Sequence, residues 1–374
     1  MTTAEALCGR LLLVGFPGVS LAPALRSRIR DGKVGGVILF RRNVENVPQV
    51  HALCQELAEA ASNDLFIGVD QEGGRVARLP SPVLTLPPAR TLGKGSVELT
   101  QDAGALLGAD LAGLGFNLNF APVFDVDSNP NNPVIGDRAF AEEPARVAAF
   151  ASAFARGLQS SGVAACAKHF PGHGDTHQDS HLELPLVQRS DSELRELEIS
   201  PFVAAIGAGV ASMMTAHVVY PALDPEHPAT LSSAILTQIL RRELGFGGVI
   251  FSDDLEMNAI TRAMNVEDAA VSAIVAGCDA LLICHSEERQ AAALTALVRE
   301  YEGSKAFREL VNAAEGRGAE LRSRYPVAGF VEYQQWLNAR LAEQARRDAL
   351  TAKLAHLASN GQASAVALDP TEKA

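Results

Sequence analysis

The chain is poor in positive charge. Over 374 residues, 32 Lys and Arg stand against 44 Asp and Glu, a formal net charge of −12. A nucleic-acid groove needs a basic footprint, so this balance argues against that class of partner. The chain also lacks an apolar run long enough to span a bilayer, which argues against a membrane role. Its start, Met1-Thr2-Thr3-Ala4-Glu5, has no basic region, and Arg10 interrupts the apolar stretch that follows. A signal peptide is not expected there, and a cytoplasmic location is. The cysteines, Cys8, Cys54, Cys166, Cys278 and Cys284, are odd in number and scattered through apolar strings. They read as buried thiols of a reducing compartment and not as a disulfide framework.

Apolar residues are abundant, at 47%, so a sizeable core is available. Short apolar runs predict strands at about 11–14, 37–40, 65–69, 117–121, 163–167, 212–216, 249–251 and 280–284. Most are apolar at consecutive positions, as strands covered on both faces are. Helical patterns lie between them, at roughly 22–30, 48–61, 101–114, 144–160, 200–208, 232–243 and 267–276, with a further one at 286–301. Eight strands alternating with eight helices in about 300 residues is the count of a (β/α)8 barrel, an α/β fold. A doubly wound sheet is the alternative. The pattern changes after Glu320. Residues 331–357 read as one long helix or two, and 360–374 as a tail. The expected division is therefore a barrel over 1–325 and a helical extension with its tail over 326–374.

Four of the nine histidines fall at intervals of four: His169, His173, His177 and His181. On a helix this spacing would align them on one face. Pro171, Gly172 and Gly174 interrupt the run, so the segment reads as a loop. It follows the apolar run 163–167, and a loop dense in Lys, His and Asp after a buried strand is a candidate catalytic loop. Barrel active sites gather at the C-terminal ends of the strands. Polar groups stand just there: Arg41-Arg42, Asp70, Asp125, Lys168-His169, His217, Asp253-Asp254 and His285. Asp253 directly follows an apolar strand, where packing needs no carboxylate. It reads as a nucleophile or a metal ligand, with helix capping by Ser252 or Asp254 as the plainer reading of that stretch. Asp70, in Val69–Arg78, is either a solvated turn residue or an acceptor for sugar hydroxyls. Arg138 sits on a long loop from which it could reach such a site.

Together these stretches resemble glycoside hydrolase family 3, closely its single-domain bacterial β-N-acetylglucosaminidases of the peptidoglycan-recycling type. The matching segments are Val69–Arg78, Asn119–Asp125, Gly136–Phe140, Lys168–His181 and Gly248–Leu255. The run Lys-His-Phe-Pro-Gly-His-Gly followed by Asp-Ser-His is the most specific of them. The resemblance implies that Asp253 is the nucleophile and His181 the acid/base, with Asp179 as its partner. It implies that Asp70, Arg78, Arg138, Lys168 and His169 hold the sugar. His173 and Asp175 would brace the loop, and His177 receives no role. Two-domain relatives place their acid on another domain. This chain is expected to lack that domain and to need a donor on its own loop.

The chemistry agrees with the resemblance. A retaining glycosidase needs a carboxylate nucleophile and a separate proton donor. A histidine with a reference pKa of about 6.5 serves as donor near neutral pH. The expected substrate is a small carbohydrate, a GlcNAc-containing muropeptide, acted on by a monomer without metal or other cofactor. Other readings are a β-glucosidase or a phosphorylase on the same scaffold, a zinc hydrolase using His169, His173, His181 and Asp253, and a non-catalytic sugar-binding barrel.

Overall fold

The computed structural model of the chain describes residues 3–62, 64–176, 184–327 and 331–359. Eight parallel strands close into a barrel in sequence order: β1 (Leu12–Val14), β2 (Gly36–Leu39), β3 (Phe66–Val69), β4 (Leu118–Asn119), β5 (Ala164–Phe170), β6 (Ser212–Thr215), β7 (Val249–Asp254) and β8 (Ala280–Ile283). β8 pairs back onto β1, with Leu282 opposite Leu13. The expected (β/α)8 barrel is the observed fold. Helices Pro23–Arg30, Val47–Ala60, Val97–Leu114, Pro144–Ser160, Ser200–Gly207, Ala234–Glu243, Val266–Ala276 and Glu287–Gly303 follow the eight strands in turn. Several start as their sequences dictate. The side chains of Asn46, Ser96, Asn265 and Ser286 each accept a backbone N–H of the first turn. Among the described residues no helix is long and apolar enough to cross a membrane.

Side chains alternate across each strand. Leu13, Ile38, Phe66, Leu118, Cys166, Phe251 and Leu282 fill the barrel interior. Their neighbours Leu12, Val37, Ile67, Ala165, Ile250 and Leu281 pack outward beneath the helices. At the centre, Phe251 meets Phe66 and Phe120 edge-on, with centroids 5.8 and 5.4 Å apart. Helix Lys305–Arg324, which no expectation covered, closes the N-terminal end of the barrel. Leu321 and Tyr325 join the interior cluster, and Arg322 lies 5.1 Å over the Phe66 ring.

Three strands differ from their expected extents by more than one residue at an end. β4 is shorter because two asparagine side chains replace ladder bonds. Asn117 Oδ1 accepts from Ile67 N–H at 2.8 Å, and Asn119 exchanges bonds with the Gln71 backbone at 3.0 and 2.9 Å. β5 and β7 are longer, so Lys168, His169, Asp253 and Asp254 lie on strands and not on loops. Neighbouring chain holds the top of β5 on both sides: Val123 bridges Lys168, and Phe170 pairs with Thr215.

The C-terminal extension forms two helices, Tyr333–Ala342 and Gln344–Ser359. Its Trp336, Leu350 and Leu354 belong to the same hydrophobic cluster as the outer barrel layer. The indole of Trp336 lies on Gly113, where an added Cβ would come within 2.2 Å of it. Arg347 grips the buried Asp110 through two 2.8 Å contacts, while Leu84 N–H donates to the same carboxylate at 2.8 Å. Burial raises the Asp110 carboxyl above its usual range even so, with Arg347 and Arg340 opposing the shift. Removing one partner of a buried pair strands the other charge. Arg347→Ala is therefore expected to cost about 3–5 kcal/mol of stability. Urea unfolding would check this, and a loss no larger than that of an exposed surface pair would refute the buried-clamp account.

Candidate active site

The inward register of three strands ends in charge. Phe66 and Gly68 lead to Asp70, Ala164 and Cys166 to Lys168, and Val249 and Phe251 to Asp253. All three therefore rise at the C-terminal mouth of the barrel, two residues beyond its apolar filling. Cys166 reports their convergence. Burial pushes its thiol up to about 12, and the charges of Lys168, Asp70 and Asp253 all act on it.

Lys168 is buried, and its ammonium makes ion pairs with Asp70 at 2.8 Å and Glu72 at 2.7 Å. Burial alone would lower its pKa. The two carboxylates outweigh that and hold it above the ordinary lysine value. Glu72 in turn receives a two-pronged contact from Arg138, at 2.8 and 3.0 Å. Burial disfavours the Glu72 carboxylate, but Arg138 and Lys168 hold its pKa far below the usual range. Arg78 approaches Asp70 at 3.9 Å. The hairpin that brings it there is pinned by the buried Gln71, whose Oε1 accepts from Arg78 N–H and Leu79 N–H at 2.8 and 3.1 Å. Arg138 thus meets the site through Glu72, a residue to which the sequence reading gave no role.

His169 is tied through one ring nitrogen to the fully buried Asp125, with Nδ1 2.7 Å from Oδ2. The other oxygen of Asp125 accepts from the backbone N–H groups of His169 and His173, at 3.0 and 2.8 Å. His173 is itself buried and contacts Thr176 Oγ1 at 2.9 Å. Burial, reinforced by His169, pushes its pKa down to about 4, so it is neutral at physiological pH. Asp175 pairs with Arg189 at 2.8 Å. The candidate acid/base pair, His181 and Asp179, lies outside the described residues, as does His177.

Asp253 sits at the top of β7, with its backbone N–H directed to Thr215 Oγ1 at 3.3 Å. Its Oδ1 accepts from Asp254 N–H at 2.8 Å. Neither flanking residue caps a helix. The hydroxyl of Ser252 accepts from Leu282 N–H across the barrel wall at 3.0 Å, and Asp254 accepts from Glu256 N–H and Cys284 N–H at 3.1 and 3.3 Å. Burial and the nearby Glu256 push Asp254 up to about 7. It therefore carries only part of a charge beside Asp253 near neutral pH. Among the described residues, no group of three or more His, Cys, Asp or Glu side chains is arranged to hold a metal ion.

The depressed Glu72 pKa carries a sign. Its contribution to stability is complete above the ordinary glutamate value of 4.5 and is lost as pH falls below that, toward its own lower pKa. Glu72→Gln is expected to lower stability by about 3–5 kcal/mol at neutral pH and to flatten the acid dependence of the unfolding midpoint in that window. Equal acid slopes in the two proteins would refute the pairing.

Comparison with known proteins places this geometry in a family. Residues 5–315 match the glycosyl hydrolase family 3 N terminal domain. A β-hexosaminidase of Nitrosomonas eutropha is 41% identical over 297 residues, covering 78% of this chain and 85% of that one. A family 3 β-N-acetylglucosaminidase structure from a Paenibacillus species is 43% identical with a TM-score of 0.85, over 88% of this chain and 64% of that one. The chain thus spans less than two thirds of that protein. The structure of NagZ from Neisseria gonorrhoeae is 34% identical with a TM-score of 0.77, over 92% of this chain and 97% of that one. The chain belongs to glycoside hydrolase family 3 and is a glycoside hydrolase.

Proposed function

We propose that the chain is a retaining exo-β-N-acetylglucosaminidase that removes terminal N-acetylglucosamine from peptidoglycan fragments. The observation that carries this reading is the position of Asp253. It is a carboxylate on the inward register of β7, beside the Asp70–Lys168–Glu72–Arg138 array, in a family 3 chain. The relatives' names, β-hexosaminidase and β-N-acetylglucosaminidase, support the choice of sugar.

In this mechanism the Asp253 carboxylate attacks the anomeric carbon. The bond to the aglycone oxygen breaks, and His181 passes its proton to that oxygen. A covalent glycosyl-Asp253 results. His181, now neutral, takes a proton from water, and the water oxygen attacks the same carbon and releases Asp253. Two inversions give net retention. Asp179 orients the imidazole and favours its protonated form. The Asp254 N–H steadies one oxygen of the nucleophile. Asp70, Arg78, Lys168, Arg138 and His169 supply the sugar-hydroxyl contacts, Arg138 by way of Glu72.

Two experiments test this. A fluorinated glycoside is expected to trap the intermediate, with mass spectrometry locating the sugar on Asp253, and Asp253→Ala to lose several orders of magnitude in turnover. A label on Asp254, Asp70 or Asp179 would overturn the assignment. For the donor, the leaving group decides. His181→Ala is expected to damage disaccharide hydrolysis far more than dinitrophenyl glycoside hydrolysis, because a dinitrophenolate needs no proton. Equal damage to both would remove His181 from the role. Assays with and without phosphate separate hydrolysis from phosphorolysis.

A further inference from the structure

Glu198 lies on the helical turn Leu194–Ile199 after β5 and is wholly buried. Ser128 Oγ donates to its Oε1 at 3.1 Å. Its Oε2, also buried, has no hydrogen-bond partner among the described residues. That oxygen faces Gly172. A Cβ built on Gly172 would meet it at 2.4 Å, and the φ of Gly172 is +141°. Tyr220 donates its hydroxyl hydrogen to the Gly172 carbonyl. The carboxyl packs against this one residue and the phenol bonds it, two residues beyond the end of β5.

The surroundings of Glu198 are anionic. Asp125, which anchors His169 and His173, acts on it from the loop after β4, and Asp175 acts on it from the loop after β5. Tyr220 is a neutral phenol there, because burial, then Glu198 and Asp125, raise its pKa well above the ordinary value. Arg189 is the cation that opposes them, and it is paired with Asp175. A buried carboxylate with one orphan oxygen in such company is strongly disfavoured, whereas a carboxylic acid is tolerated. Burial first, then Asp125, pushes Glu198 up to about 8.

We propose that Glu198 is a positioning residue that supports Gly172, just beyond the top of β5, as a neutral carboxylic acid, and that its ionisation displaces Gly172. The idea rests on the proposed role of His181, nine residues further along the chain. Ionisation adds a negative charge against Asp125 and Asp175, with no donor on Oε2 to receive it. Gly172 is packed against that oxygen and takes up the change.

The pH dependence of kcat on a dinitrophenyl β-N-acetylglucosaminide tests this. The leaving group needs no proton, so breakdown of the glycosyl-enzyme limits kcat, and His181 then acts as base. Rising pH leaves that base in its active form. An alkaline loss of kcat near about pH 8 is therefore not the titration of His181 itself. The wild type is expected to show that loss, and Glu198→Gln to move it upward by at least about one pH unit, a tenfold difference in kcat on the limb. Glu198→Ala is expected to lower kcat at neutral pH, with Gln restoring it. Ser128→Ala removes a donor that stabilises the carboxylate, so it too is expected to move the limb upward. Coincident limbs for wild type and Glu198→Gln would overturn the proposal. Should the Gln protein not fold, an unmoved limb in Ser128→Ala would do so. Failure of the glycosidase reading is a separate result: the wild type would not cleave the substrate at all.

Discussion

One buried ammonium organises the barrel mouth. Lys168 is nearly inaccessible to water, and a lone cation there would be untenable. It is tolerated because Asp70 and Glu72 meet it from the strand beside β4 and its hairpin. Glu72 then needs a second cation, and Arg138 comes from the long loop after β4 to supply it. The requirement to compensate one charge thus fixes chain from β3, β4 and β5 relative to each other. Three cations, Arg78, Lys168 and Arg138, and three carboxylates, Asp70, Glu72 and Asp253, gather at the same mouth of the barrel. Such an array presents fixed donors and acceptors with little net charge, which suits a neutral sugar better than an anionic ligand.

The barrel itself was legible because its signal is periodic and redundant. Each strand is a short apolar run, and each is followed by a helix, four of them with a capping side chain at the start. The strand tops were less legible. Lys168-His169 and Asp253-Asp254 look like loop because they are charged, yet backbone pairing continues through them. Charge ends a strand only where water must be reached, and these side chains are satisfied by one another. Asp253 was read as following the strand directly, close to its observed place near the end of β7.

What stayed hidden depends on pairs distant in the chain. Glu72 lies two residues beyond Asp70, on the same parity, so a signal existed, but its meaning comes from Arg138, 66 residues away. Asp125 was visible as a strand-end carboxylate, while its contact with His169 spans 44 residues. Glu198 had no signal. It sits in Leu194-Arg195-Glu196-Leu197-Glu198-Ile199, which reads as an ordinary amphipathic helix with solvated acids. The histidines mislead in the opposite direction. Their spacing of four suggests a common face, but His169 ends a strand and His173 packs under a loop. What those two share is one carboxylate, Asp125.

Asp125 also shows how the site divides its labour. The nucleophile candidate stands on a barrel strand, with its backbone tied to Thr215 and its neighbour Ser252 tied to β8. A carboxylate that must attack one carbon gains from such fixed placement. The chain that leaves β5 is fixed as well, as far as Thr176. Asp125 supplies the fixed end by accepting two backbone N–H bonds and one imidazole contact, and Asn132 adds bonds to the His173 and Gly174 carbonyls at 2.8 Å each. Rigidity therefore reaches as far as Gly174 and Thr176, through polar contacts to the loop after β4.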